Sequence, residues 1–381
     1  MIERYLQDLE RRVDPQVEQS LFEQWKVFAS GRCEEPIFSP RRPSASPPAI
    51  EWPHVLVNDA LLDFEAMALQ QLEGCSKTLA EGSGALLSVR CNYGTAILPS
   101  LFGAELFLMD REIDTLPACR PLPGGSDAVK RLLDRGVPDL NAGQGGAVFR
   151  MGQYYKELFA GHPKLSKHVH IYHPDLQGPM NVCEMLWGGS LYVELYDKPD
   201  LVKGFLSLIT ETYVRFMRRW NEIVCGEGVP PLRPAGILPA KKEQGQDALA
   251  TKDKGKMPSP HEYAVHWSML HRGCIMVRND AATNLSPAMY EEFVRSCDER
   301  LFKEFGGGGI HFCGRGDHFI AKAAAISGVH AVNITQPHLN DVETIFQNTI
   351  DKGIQLIGFD RQAAERALRQ GRDLRGNVHC W

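Results

Sequence analysis

His311 and Cys313 stand two residues apart in Gly308-Gly309-Ile310-His311-Phe312-Cys313-Gly314, where Ile310 and Phe312 supply the alternate apolar positions. An imidazole nitrogen and a thiolate sulfur are ligand types that zinc accepts together, so the pair is half of a soft-metal site. Alternation of apolar and polar residues is the pattern of a strand, whose period of two sends both side chains out of one face. The Gly306 to Gly309 run lets the chain turn tightly into that strand. A buried cysteine beside a hydrogen-bonded core histidine has the same spacing. The pair therefore acquires chemistry only if other reactive groups meet it.

Such groups stand at the ends of other apolar runs. Ala85 to Val89 runs into Arg90, Asn92 and Tyr93, and Val169 to Tyr172 into His173, Asp175 and Gln177. Cys274 to Val277 runs into Arg278, Asn279 and Asp280; Ala331 to Ile334 ends near Gln336, Ile354 to Ile357 near Asp360, and Leu374 to Val378 near His379 and Cys380. His173 and Asp175 suit acid–base work, or anchor their loop through backbone hydrogen bonds. Arg278 suits a substrate carboxylate, or an internal ion pair with Asp175 or Asp280. Asp280 suits a substrate amine or hydroxyl, the positioning of a ligand, or a helix N-cap. Trp187, Trp220 and Trp267 read as core.

The elements that must position these groups alternate along the chain. Helical spacing covers residues 1 to about 30 and 58 to about 79, with a proline- and serine-rich linker from Arg41 to Pro48 between them. This makes residues 1–80 an N-terminal helical extension and residues 81–381 the main unit. Within that unit, helices at about 198–224, 287–305 and 341–351 separate the strands. Apolar strands alternating with helices predict a parallel sheet covered by helices. With Glu105 to Met109 as a further strand, the count approaches that of a (β/α)8 TIM-type barrel, which works at the C-terminal ends of its strands. A doubly wound open sheet is the competing α/β architecture. Gly143-Gln144-Gly145-Gly146 does not extend to a nucleotide fingerprint, because Val148 stands where the third glycine belongs and no clear helix start follows. Residues 226–260, proline-containing and then lysine-rich, read as a mobile surface insertion.

Composition sets the bounds. With 381 residues, 43% of them hydrophobic, the chain can bury one large core or two modest ones. A formal charge of −5 gives no basic field for nucleic acid. The first residues carry no apolar signal core and no run is long enough to span a bilayer. Ten scattered cysteines lack the density of a disulfide framework, so the expected location is cytoplasmic.

Three of the strand ends resemble the uroporphyrinogen decarboxylase superfamily. They are His173-Pro174-Asp175-Leu176-Gln177-Gly178-Pro179; Val277-Arg278-Asn279-Asp280-Ala281-Ala282 followed by Leu285-Ser286-Pro287-Ala288-Met289-Tyr290-Glu291-Glu292-Phe293; and His311-Phe312-Cys313-Gly314. They occur in the superfamily's order, and the resemblance spans roughly residues 85 to 381. It implies a (β/α) barrel and one of two chemistries. One is cofactor-free decarboxylation of a tetrapyrrole or another carboxylated substrate. The other is zinc-dependent methyl transfer between a corrinoid or small methyl donor and a thiol. The chain departs from the decarboxylases: Arg41-Arg42-Pro43 is a poor substitute for their arginine-rich motif, Gly94 stands where their aspartate belongs, and Met185 lies near the place of their tyrosine. The methyltransferase branch is the closer match, with the carboxy-lyase as the alternative. Its zinc site carries a further cysteine at the end of the last strand, where Cys380 or His379 stands here. The expected site therefore has His311, Cys313 and Cys380 on zinc. His173, Asp175, Arg278 and Asp280 are the expected catalytic residues. Arg90, Asn92, Tyr93, Gln177, Asn279 and Gln336 are expected against substrate. The expected partners are a small-molecule substrate and a corrinoid-binding protein, with a homodimer left open.

Overall fold

A computed structural model describes residues 2–225 and 262–381. The expected insertion at 226–260 lies outside the described residues. Four strands form a parallel sheet in the order Gln355–Leu356, Val329–Ile334, Gly308–Phe312, Ile275–Arg278. Ser88–Val89 and His170–Ile171 form a second parallel pair. Val378 adds a single parallel bridge to Leu356 and His379 another to Phe38. The fold is thus α/β with parallel sheet, and among the described residues the hydrogen-bonded ladder does not run round as a closed barrel. Leu106–Phe107, which the sequence suggested as a further barrel strand, instead pairs antiparallel with Ala118–Cys119.

An antiparallel hairpin, Tyr263–His266 with Met269–Arg272, is an element the sequence analysis missed. Ser268, at its turn, accepts a hydrogen bond from Leu86 N at 2.9 Å. Val265, Met269 and Leu270 share a small buried cluster with Leu86, Met276, Ala331 and Ile357, from the strands and their ends. Trp25 and Phe28 of the helix Pro15–Ala29 complete that cluster. Helix packing on the other side of the sheet forms the larger core.

The N-terminal helical expectation resolves into distinct helices. Glu3–Arg12 ends at Val13, and Asp14 caps the next helix by accepting from Gln16 N and Val17 N, with Pro15 at its first position. Asp63 likewise caps Phe64–Ala80 through Ala66 N. Arg42 is buried on Glu18 at 2.6 Å, an internal ion pair. The expected 287–305 helix is present in three parts, with a π-helical segment at Tyr290–Val294. A helix does begin at Gly145, contrary to expectation, and runs to Ala160.

Two glycines fix how the motifs meet. A Cβ on Gly308 would overlap the carbonyl oxygen of Ile275, so only glycine lets these neighbouring strands approach. A Cβ on Gly178 would lie 2.5 Å from Arg278 O and 2.7 Å from Asn279 Oδ1. Gly178 N also donates to Arg278 O at 2.9 Å. The glycine-proline segment is therefore built to lie against the Arg278 strand, with Pro179 opening the helix Pro179–Trp187.

Candidate metal centre

Strand register assembles the site. Arg278 pairs with His311, and His311 with Asn333, so the three stand in one row across the sheet. The period of two then carries each strand's inward face onward, from Arg278 to Asp280, His311 to Cys313 and Asn333 to Thr335. His311 Nε2 lies 3.4 Å from Cys313 Sγ and 3.8 Å from Asp280 Oδ1. One ligand atom from each of Asp280, His311 and Cys313 lies within 4.8 Å of the others, and no other such group of three occurs among the described residues.

Each ligand is held by a second group. His311 Nδ1 meets Asn333 Oδ1 at 2.7 Å, while Asn333 Nδ2 donates to Ile357 O at 2.6 Å. Because Asn333 spends its amide as donor to a carbonyl, its oxygen must accept from His311. The proton therefore sits on Nδ1, and Nε2 presents a lone pair toward Cys313 and Asp280. Asp280 Oδ1 accepts from Cys313 N at 2.6 Å, and Oδ2 faces Asn181 Nδ2 at 3.4 Å. Thr335 Oγ1 donates to Cys313 Sγ at 2.9 Å. Burial lowers the pKa of His311, against the raising field of Asp280. Partial burial raises Cys313 above the ordinary thiol value; Asp280 pushes the same way, and the Thr335 hydrogen bond opposes. Nitrogen, sulfur and oxygen donors with one side open to the surface fit a catalytic zinc ion, which keeps an exchangeable position.

Asp175 and its partners form an adjoining wall. Arg278 Nε meets Asp175 Oδ1 at 2.6 Å and Arg90 Nη1 meets Oδ2 at 3.1 Å. Burial would raise Asp175, but the Arg278 and Arg90 charges outweigh it and hold the carboxyl below its usual value. Of the two internal pairings open to Arg278, Asp175 is the one formed. Gln177 bridges onward, donating to Asp175 Oδ1 at 3.3 Å and accepting from Asn181 Nδ2 at 2.7 Å. Asn181 Oδ1 accepts from Ala281 N at 2.8 Å, which ties the wall to the Asp280 turn.

Other expected residues lie elsewhere. Cys380 is fully buried in the larger apolar core and is not one of the clustered ligand groups; Asp280 takes the third place. His173 spends both ring nitrogens on backbone, Nδ1 on Pro174 O at 2.6 Å and Nε2 on Met276 N at 3.1 Å. Its burial pushes the pKa down to about 3, so it is a neutral anchor and not a proton shuttle. Asn279 has the parity opposite to Arg278 and Asp280 and turns outward, donating to Asp298 Oδ2 at 2.6 Å. Asp298 also accepts from Tyr290 OH at 2.9 Å, and burial raises its pKa to about 7. Gln336 is exposed one residue past Thr335, which takes the inward position instead. Asn92 donates to Gln70 Oε1 at 3.1 Å. Tyr93 is buried, and burial raises its phenol. Neither bonds to the cluster.

Sequence reasoning also passed over residues that contact the cluster. Asn181, Asn333 and Thr335 hold the ligands, and the period of two along Ala331-Val332-Asn333-Ile334-Thr335 was a usable signal for the last two. Trp267, read as core, lies half-buried with its ring 5.0 Å from that of His311.

No protein-family model matches the chain, and no curated protein matches it. Among solved structures, a methyltransferase from Methanosarcina mazei superposes with a TM-score of 0.56. The two are 16% identical, and the match covers 86% of this chain and 81% of that one. The likeness is one of fold.

Proposed function

We propose that the chain is a zinc-dependent methyltransferase, passing a methyl group between a corrinoid protein or small methyl donor and a thiol. The observation that carries the reading is the convergence of Asp280, His311 and Cys313 ligand atoms within 4.8 Å. The fold likeness to the Methanosarcina mazei methyltransferase supports the reaction class. In this reading the α/β core is a (β/α)8 barrel of the uroporphyrinogen decarboxylase type, with the site at the C-terminal ends of its strands.

A bound zinc ion would supply Lewis acidity that keeps a thiol ionised at neutral pH. The chain's own groups do the rest. His311 offers Nε2 because Asn333 fixes its tautomer. Cys313 would hold the ion as a thiolate, with the Thr335 hydroxyl hydrogen-bonded to its sulfur. Asp280 is oriented by Cys313 N and Asn181. The acceptor sulfur forms its bond to carbon as the donor–methyl bond breaks, and the electron pair stays with the donor. The decarboxylase alternative asks Arg90 and Arg278 to grip a substrate carboxylate, whereas both are paired with Asp175.

Metal analysis and a methyl-transfer assay with methylcobalamin and a small thiol test the reading. Stoichiometric zinc that is lost, together with activity, in Cys313→Ser is expected. Full activity in a zinc-free protein would rule the proposal out.

A further inference from the structure

We infer that Trp267 is a positioning residue of the metal centre, holding the His311 ring and keeping the Arg278 guanidinium in its place on Asp175. This rests on the metal reading above. Trp267 and Ser268 form the two-residue turn of the hairpin Tyr263–Arg272, and both have left-handed backbone, with φ of 47° and 63°. Such turns normally use asparagine and glycine, because a side chain strains that conformation. Strain of this kind persists only where surrounding contacts over-determine it, and it gathers at functional sites.

The contacts are present on both sides of the turn. Ser268 O accepts from Leu86 N, and Ser268 Oγ meets Ser88 Oγ at 3.0 Å, so the turn is fastened to the first parallel strand. On the other side the indole meets the His311 ring at 5.0 Å and 61°. The Arg278 guanidinium carbon stands 4.9 Å from the indole centre. Arg278 is only 2% exposed; its Nη1 donates to Leu176 O and its Nη2 has no hydrogen-bond partner. Beyond its ion pair with Asp175, the guanidinium meets the π face of Trp267.

Removing the indole would act on two ligands at once. The His311 ring, tethered at Nδ1 alone, would be free to tilt its Nε2 away from Cys313. Arg278 lies two residues before Asp280 on the same inward face. Released from the ring, its guanidinium could turn to that carboxylate and compete with the metal for it.

Titration with Co2+, followed by its visible and sulfur-to-metal absorbance, tests the role in the full-length protein. Trp267→Leu keeps apolar volume without a ring and is expected to raise the Co2+ Kd about tenfold, the scale of a lost outer contact. Trp267→Phe, which restores a ring, is expected to stay within about threefold of wild type on the same scale. Unchanged Co2+ affinity in the leucine variant, with only reduced thermal stability, overturns the inference and leaves the metal reading intact. Wild-type protein that takes up no Co2+ overturns both. A second readout needs only the phenylalanine variant. Quenching of tryptophan emission by bound Co2+ is expected to shrink sharply in it, and equal quenching in both proteins refutes the placement of Trp267 at the ion.

Discussion

The same two residue types stand at two strand ends of this molecule and do opposite things. His311 and Cys313 are separated by one residue, share a face, and bring nitrogen and sulfur within 3.4 Å. His379 and Cys380 are adjacent, so an extended chain sends them to opposite sides. The His379 ring packs 4.6 Å from that of Trp25 and its Nδ1 accepts from Gly358 N at 3.0 Å. Cys380 turns into the larger core, where burial raises its thiol to about 12. Only the first pair has a lone pair and a sulfur facing a third ligand at an open edge. A histidine and a cysteine are thus a metal site or a piece of core according to spacing and to what covers them.

The largest test of this contrast is Cys313→Ala. Its side chain is at the surface, so the fold should be barely affected. Metal affinity should fall about 100-fold or more, because a three-ligand site loses its sulfur. Metal analysis beside a melting curve reads both; retained stoichiometric zinc would remove Cys313 from the site. Cys380→Ser should show the reverse. A hydroxyl buried in the apolar core costs about 1–3 kcal/mol, visible in denaturant unfolding, with Co2+ affinity unchanged. If Cys380→Ser instead released metal, the division between the two pairs would collapse.

Asn333→Ala should weaken Co2+ binding about tenfold, since the His311 tautomer is no longer fixed. Wild-type affinity in that variant would assign Asn333 to packing alone. An effect of comparable size is expected with pH. Burial lowers the pKa of His379 from 6.5 to about 3. Between these values the unfolded chain binds the proton and the folded one does not. Stability from this group is therefore full above pH 6.5 and is lost as pH falls toward 3. His379→Gln should remove that slope, narrowing the acid loss by about 1.4 kcal/mol at pH 5.5. Parallel pH profiles for the two proteins would show that His379 is not the titrating group.

Much of the framework was legible because strands and helices write their periods into the chain. The apolar runs before Arg278, His311 and Asn333 are all strands of one parallel sheet. The Gly178-Pro179 motif was visible in the chain, but its close approach to the Arg278 strand, which leaves no room for a side chain, was not. Parity was as available in the sequence as periodicity. It excludes Asn279 from the face of Arg278 and Asp280, and it separates His379 from Cys380.

By itself, then, the sequence determined the α/β character, the strand that carries His311 and Cys313, and the common face of that pair, since a period of two is a local property of the backbone. Tertiary structure alone brought Asp280 beside the pair, because it reaches them only through the pairing of Ile275–Arg278 with Gly308–Phe312. It also decided that His173 is an anchor, through a hydrogen bond from Met276 N, distant in sequence. And it decided that Trp267, on a hairpin no local pattern announced, lies against His311. Contacts between residues far apart in the chain depend on how the elements pack, and no local period encodes that.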